Sequence, residues 1–351
     1  QNAKDITTFV LRLLSLSEKE IRTIIPQGPI RDFLIDELQV LKFKPKRMTG
    51  SFRFDLAVVG PPDSHHPLKL LEINEIGFDG LARSTFFQKT LLSLIPELKS
   101  RVIAFDTAAA EVRNMQRLGP QIARVQYDSY NWDEEYLLQT AEKMGAKVHL
   151  VSRCTQHEFC FRFIWLQKRS LSLFETDTFK NPQYGPFITG LVASKTILIL
   201  LADPLLRKRL LGSSNKIQNS ILPAFSLEGE RDHVLKHGGE LVLKHCDGFG
   251  GEQVFMDRDL IRNLKKITPK QEHEWVMQQK TRLNTLDVNG ILSRPKRAIS
   301  DLGVFVQYDW ENGQYRHFEV GGLMSRATNK GLKVNVSSGG LQVAVMLERG
   351  V

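Results

Sequence analysis

The segment Leu241–Val254 (LVLKHCDGFGGEQV) constrains the fold more than any other stretch of this 351-residue sequence. A leucine- and valine-rich run ends in Lys244, enters a loop carrying Gly248, Gly250 and Gly251, and returns through Gln253–Met256. That pattern reads as two strands joined by a loop that lacks Cβ atoms at three positions. Small residues let backbone N–H groups approach a polyphosphate, and the lysine adds a fixed positive charge beside them. An ordinary glycine-rich hairpin has the same pattern. Other nucleotide signatures are missing: there is no Gly-Lys dipeptide for a Walker A loop, and Gly248 and Gly250 lack the third glycine of the dinucleotide fingerprint. His157–Glu158 and His273–Glu274 both lack the second histidine of a zincin.

Composition narrows the class. Hydrophobic residues make up 42% and charged residues 25%, which excludes a disordered or fibrous chain, and the length suits two domains or one large domain with a sub-domain. The net charge of +9 favours an anionic ligand. The basic clusters Lys42–Lys44–Lys46–Arg47 and Arg207–Arg209 are short, and no exposed strand interleaves aromatics with them, so no nucleic-acid partner is expected. The longest apolar run, Ile197–Ala202, is far below the roughly 20 residues that span a bilayer. No membrane partner is expected, and no signal-peptide pattern opens the sequence. Cys154, Cys160 and Cys246 have no CxxC spacing, which points to a reducing, cytoplasmic setting without a disulfide framework.

Along the chain, Asp5–Leu38 has helical periodicity broken at Pro26 and Pro29. Ser51–Val59 alternates as a strand and, after a Gly-Pro-Pro turn, Leu68–Ile73 is a second strand, together a hairpin. Ala82–Leu98 is an amphipathic helix. From residue 101 the texture changes: strands at Arg101–Phe105, Ala123–Tyr127 and Gly145–Val151 alternate with helices, as in a small parallel α/β unit. Asn181–Pro186 reads as a loop, Leu191–Ala202 and Pro204–Leu211 as helices, and Trp275–Lys280 as a strand. Gly303–Tyr308 and Tyr315–Val320 form a hairpin turning at Asn312–Gly313.

Alternation puts Arg53 and Asp55 on one face of their strand, and Glu72 and Asn74 on one face of theirs. If these strands pair, Asp55, Glu72 and Asn74 cluster hard oxygen donors of the kind Mg²⁺ prefers, with phosphate oxygens completing its shell. A polar hairpin face is the alternative. Lys195 interrupts an apolar helix, where it either snorkels or meets an anion. Trp275–Lys280 suits either an adenine-binding hinge or a core strand. Arg326, in a loop after the last hairpin, could clamp phosphate or lie exposed.

The order of these parts resembles the circularly permuted ATP-grasp ligases, above all the glutathionylspermidine synthetase-like group and, more distantly, eukaryotic glutathione synthetase. The match runs through Arg53-Phe54-Asp55, Glu72-Ile73-Asn74, Ser194-Lys195, Val242-Leu243-Lys244 with Gly248, Gly250, Gly251 and Val254, and Val276-Met277-Gln278, over roughly residues 50 to 340. It departs from the group at Ser194, His245, Cys246 and Gln279. The resemblance implies an α/β (α+β) ATP-grasp fold of permuted topology, with two lobes clamping ATP and a small parallel α/β substrate unit. Residues 1–100 and 301–351 would build the core, 101–180 the inserted unit and 181–300 the ATP lobe with its glycine-rich lid. Permutation further implies that the N-terminal third packs against the C-terminal third.

The roles it implies are Mg²⁺ ligation by Asp55, Glu72 and Asn74, and phosphate binding by Lys195 and Lys244 under the Gly248–Gly250–Gly251 loop. Gln278 and Gln279 would flank the adenine, and Arg53 would steady the transferring phosphoryl group or the acyl-phosphate; Arg326, outside the matched motifs, is a second catalytic candidate from its own position. The implied activity is an ADP-forming carboxylate–amine (or carboxylate–thiol) ligase working through an acyl-phosphate, with small-molecule or peptide substrates. A non-catalytic nucleotide-binding relative and a basic nucleic-acid-binding protein are the alternatives.

Overall fold

In the computed structural model the described residues are 1–40, 46–59, 68–75, 80–125, 132–151, 160–161, 183–185, 192–212, 217–248, 253–287, 297–329, 334 and 341–349. Their strands, in chain order, are Arg47–Ala57 (β1), Lys69–Glu75 (β2), Val102–Ile103 (β3), Gln121–Val125 (β4), Lys147–Val151 (β5), Cys160–Phe161 (β6), Gln183–Tyr184 (β7) and Ala224–Ser226 (β8). Then follow Leu241–His245 (β9), Val254–Met256 (β10), Trp275–Gln279 (β11), Asn284–Asp287 (β12), Arg297–Glu311 (β13), Gln314–Thr328 (β14), Leu341–Val343 (β15) and Leu347–Glu348 (β16).

Ten of these strands make one sheet in the order β15-β14-β13-β1-β7-β6-β4-β5, with β2 on β1 and β12 on β13. Strand β1 pairs antiparallel with β13 residue by residue, from Arg47–Glu311 to Leu56–Leu302, so the N-terminal third and the C-terminal part share a backbone ladder. The β13–β14 hairpin turns at Asn312 and Gly313, whose φ of 50° and 83° are the paired positive values of a tight hairpin turn.

Alternation divides the sheet's two faces. Phe52 and Phe54 of β1 and Val304, Val306 and Trp310 of β13 point to one side, where they pack with Phe9, Val10 and Leu13 of the helix Asn2–Ser15 and with Leu198 and Leu201. Thr49, Ser51, Arg53 and Asp55 point to the other side, which the helices Leu81–Leu94 and Thr107–Gln116 cover. Glu111 of the second helix accepts from Ser51 Oγ at 2.7 Å and from Gln307 Nε2 at 2.9 Å, while burial pushes its carboxyl upward. That helix lies so close to β14 that a Cβ on Gly322 would overlap Thr107.

A second, antiparallel sheet has the order β10-β9-β11-β8. Leu241, Leu243, Trp275 and Met277 face its own helices through Val234, Leu260 and Leu264. Val242, Lys244, Val276 and Gln278 are left facing the large sheet by the same alternation.

Several elements differ from their sequence expectation. The parallel unit is real, with β4 beside β5 and β6 all parallel, but β6 and β7 continue it into β1, so it belongs to the same sheet. Of Arg101–Phe105 only Val102–Ile103 is extended, and it pairs with β16 outside that sheet; Asp106 then caps the next helix through Ala109 N–H. Pro96 cuts the preceding helix at Leu94, because the residue before a proline is driven out of the α region. The expected loop Asn181–Pro186 contains β7, a two-residue strand too short to show alternation. Pro29 opens a helix as its first residue.

Candidate functional site

Strands β1 and β2 pair antiparallel with Asp55 opposite Glu72 and Arg53 opposite Asn74, bringing the four polar side chains to one face. On the other side of β1, β13 places Gly303 opposite Asp55, and its residue Asp301 lies opposite Arg326 of β14. Arg326 is therefore a strand residue, not a loop residue: the hairpin extends well past the alternating core that marked it.

These side chains form one charge network. Arg53 donates Nε to Asp55 Oδ1 at 2.8 Å and Nη2 to Oδ2 at 3.2 Å. Arg326 donates Nη2 to the same Oδ2 at 2.8 Å, and Asn74 Nδ2 reaches it at 3.0 Å. Arg326 also gives Nε and its backbone N–H to Asp301, each at 3.0 Å, and its Nη2 makes a further close contact there. Asp55 and Asp301 are almost sealed from solvent, at 1% and 2% side-chain exposure. Burial opposes the Arg326 charge, yet Asp55 and Asp301 outweigh it and hold the guanidinium above the ordinary arginine range. Removing one partner would strand a buried charge, which costs far more than an exposed ion pair contributes.

Two lysines reach this network from different elements. Lys195 does not interrupt its helix. It stands at the N-cap of Thr196–Ala202, so its side chain escapes the apolar body of the helix. Its N–H donates to Cys246 O at 2.9 Å, and its ammonium lies 3.3 Å from Glu72 Oε2. Burial alone would raise the Glu72 carboxyl; Lys195, with Lys244 and Arg326, overrides it and holds it well below its usual range. Lys244 donates Nζ to Gln278 Oε1 at 2.7 Å and to Leu71 O at 2.9 Å, while Gln278 Nε2 donates to Leu70 O at 3.1 Å. Lys244 and Gln278 thus satisfy carbonyls of β2 and tie the small sheet to the large one. Burial lowers the Lys244 ammonium to about 8, against the opposing pull of Glu72.

Gly248 N–H donates to His245 O at 3.2 Å as the loop leaves β9, whereas Gly250 and Gly251 lie outside the described residues. Gln278 is 2% exposed and uses both ends of its amide internally, so it positions Lys244. Gln279 is exposed at the end of β11, where its N–H holds Pro223 O at 2.8 Å. Asp301 escaped notice in the sequence, although an aspartate two residues before Gly303 inside a long apolar strand was a signal. The carbonyls of Leu70 and Leu71 carry no sequence signal at all.

Among the described residues no three His, Cys, Asp or Glu side chains converge as a metal-binding group. Glu72 and Asn74 nevertheless fit a hard divalent ion. They share a strand face, the Glu72 side chain keeps 26% exposure, and both carry the oxygen donors that Mg²⁺ takes alongside phosphate. Asp55 fits less well, because both of its oxygens are taken by guanidinium groups.

No protein-family model matches the chain, and no curated protein matches its sequence. Among solved structures, a glutathione synthetase-like effector from Globodera pallida, in its apo form, matches 98% of this chain and 86% of its own with a TM-score of 0.67 at 14% identity. A RimK-domain ATP-grasp protein from Sphaerobacter thermophilus covers 65% of this chain and 90% of its own at 13% identity, with a TM-score of 0.32, too low to bear on the fold. The first likeness shows that the chain shares the fold of that glutathione synthetase-like protein. No described helix is long and apolar enough to cross a membrane.

Proposed function

We propose that the chain is an ATP- and Mg²⁺-dependent ligase that joins a carboxylate to an amine or thiol through an acyl-phosphate, releasing ADP and phosphate. One observation carries this reading: Arg53, Arg326, Lys195 and Lys244, from four separate elements, converge on Asp55 and Glu72 where the two sheets meet. Phosphoryl transfer asks a protein chiefly for positioning and for positive charge around a loose transition state. Lys195 and Lys244 hold the phosphates, and the loop carrying Gly248, Gly250 and Gly251 excludes water from them. Gln279 lies at the adenine end, with Gln278 fixing Lys244. Arg53 and Arg326 steady the phosphoryl group as the carboxylate attacks it and ADP departs. The amine or thiol then attacks the acyl carbon, and phosphate leaves.

Glu72 and Asn74 hold Mg²⁺, which when bound supplies further positive charge to the phosphate oxygens. Asp55 orients the two arginines. Residues 101–180 form the substrate unit, 181–300 the ATP lobe, and 1–100 with 301–351 the core. The surplus of positive charge favours acidic substrates.

Calorimetric titration with β,γ-imido ATP, with and without Mg²⁺, tests the site. Metal-dependent binding lost in Lys244→Ala supports it; an affinity unchanged by that substitution removes Lys244 and its loop from the site. A second reading, nucleotide binding without ligation, draws on the fact that the oxygens of Asp55, Glu72 and Asp301 are already engaged by arginine, lysine or amide groups. Phosphate release that depends on added carboxylate and amine separates the two.

A further inference from the structure

Resting on the ligase reading above, we propose that Asp301 is a positioning residue that sets the orientation of Arg326, so that only the Nη1 edge of its guanidinium is presented to the transferring phosphoryl group. A guanidinium has five N–H donors in a planar fork, and its direction is decided by which edges are already filled. Here the Nε–Nη2 edge is filled by Asp301 Oδ2, with Nε at 3.0 Å. The second Nη2 hydrogen goes to Asp55 Oδ2 at 2.8 Å. Among the described residues Nη1 has no hydrogen-bond partner, and the side chain as a whole keeps 11% exposure.

The contact is built into the sheet. Asp301 and Arg326 are directly opposite in the β13–β14 register, and Asp301 Oδ1 also accepts the backbone N–H of Arg326 at 3.0 Å. Ser325 Oγ donates to the Asp301 carbonyl at 2.6 Å, which fastens the two strands at this step. Asp301 therefore fixes both the backbone and the head group of one arginine. Arg53 differs: its Nε and Nη2 go to the Asp55 beside it on the same strand. A cross-strand ion pair that merely stapled β13 to β14 would leave nucleotide discrimination untouched, and that difference makes the proposal testable.

The experiment measures calorimetric affinities for MgADP and for Mg-β,γ-imido ATP in the wild type, Asp301→Asn, Arg326→Gln and the double variant. Asp301→Asn is expected to bind MgADP as the wild type does. It should lose at least about tenfold in affinity for the imido analogue, the scale of one hydrogen bond to a charged group. The double variant should be no weaker than Arg326→Gln alone, because the two residues act as one unit. Should Asp301→Asn fail to fold, Asp301→Glu keeps the charge, displaces the fork and is expected to show the same selective loss. Equal affinity of wild type and variant for the imido analogue overturns the positioning role, as does an equal loss for both nucleotides or an additive double variant. A wild-type protein that binds neither nucleotide overturns the ligase reading itself, and this proposal with it.

Discussion

Under the proposed function, the single side chain of Lys244 serves structure and chemistry together. Its ammonium donates to the Leu71 carbonyl and to Gln278 Oε1, and among the described residues one N–H is left, which under the proposed function goes to a phosphate oxygen. Burial lowers it to about 8, so the cation is present at pH 7 and lost as the pH rises through that value. A bound polyphosphate favours the charged form, so nucleotide binding near pH 8 should take up a fraction of a proton, and affinity should fall between pH 7 and 9. Calorimetry in buffers of different ionisation enthalpy measures that uptake. An affinity flat over this range would mean that Lys244 does not touch the phosphates. At this scale the sequence showed which residue types are present, and the hairpin register made Asp55, Glu72 and Asn74 neighbours as alternation required. It did not show that Asp55 is consumed by two arginines, since one of them arrives from residue 326.

Among the elements, the β13–β14 hairpin carries the most information, because its turn was legible and its reach was not. Asn312–Gly313 defines the turn through backbone angles that only small or amide side chains adopt readily, a property written locally in the chain. An alanine at Gly313 would have no atom within 4 Å of its Cβ, so its cost is the left-handed backbone alone. We expect Gly313→Ala to destabilise the protein by about 1 kcal/mol, read as a lower denaturant midpoint at unchanged slope. An unchanged midpoint would show that the turn relaxes. The arms beyond the alternating core, which hold Asp301 and Arg326, do not alternate, because their polar residues pair across the hairpin and with Asp55 of β1. Lys195 was misplaced for a related reason: an apolar run shows that a helix is present but not where its first turn begins, and a lysine at the N-cap looks like one in the middle.

For the whole molecule, the pairing of β1 with β13 makes the first and last parts of the chain a single sheet. A chain ending at residue 296 would leave the β1 edge open and bare Phe52 and Phe54, which otherwise meet Val304 and Val306. We expect such a chain to lose its near-ultraviolet circular dichroism and to bind a hydrophobic dye; a native-like spectrum would mean that β1 finds another partner. The likeness to the Globodera pallida effector at 14% identity belongs to this scale, since an architecture tolerates changes that motifs do not. By itself the sequence determined the strands and helices whose periodicity is long, the Asn312–Gly313 turn and the residue types of the candidate site, because each depends on neighbours a few positions away. Only the tertiary structure decided that the parallel strands join the main sheet, that Gln278 serves Lys244, and that Asp301 holds Arg326. Those facts depend on contacts between residues far apart in the chain, and periodicity carries no record of which distant strand will lie alongside.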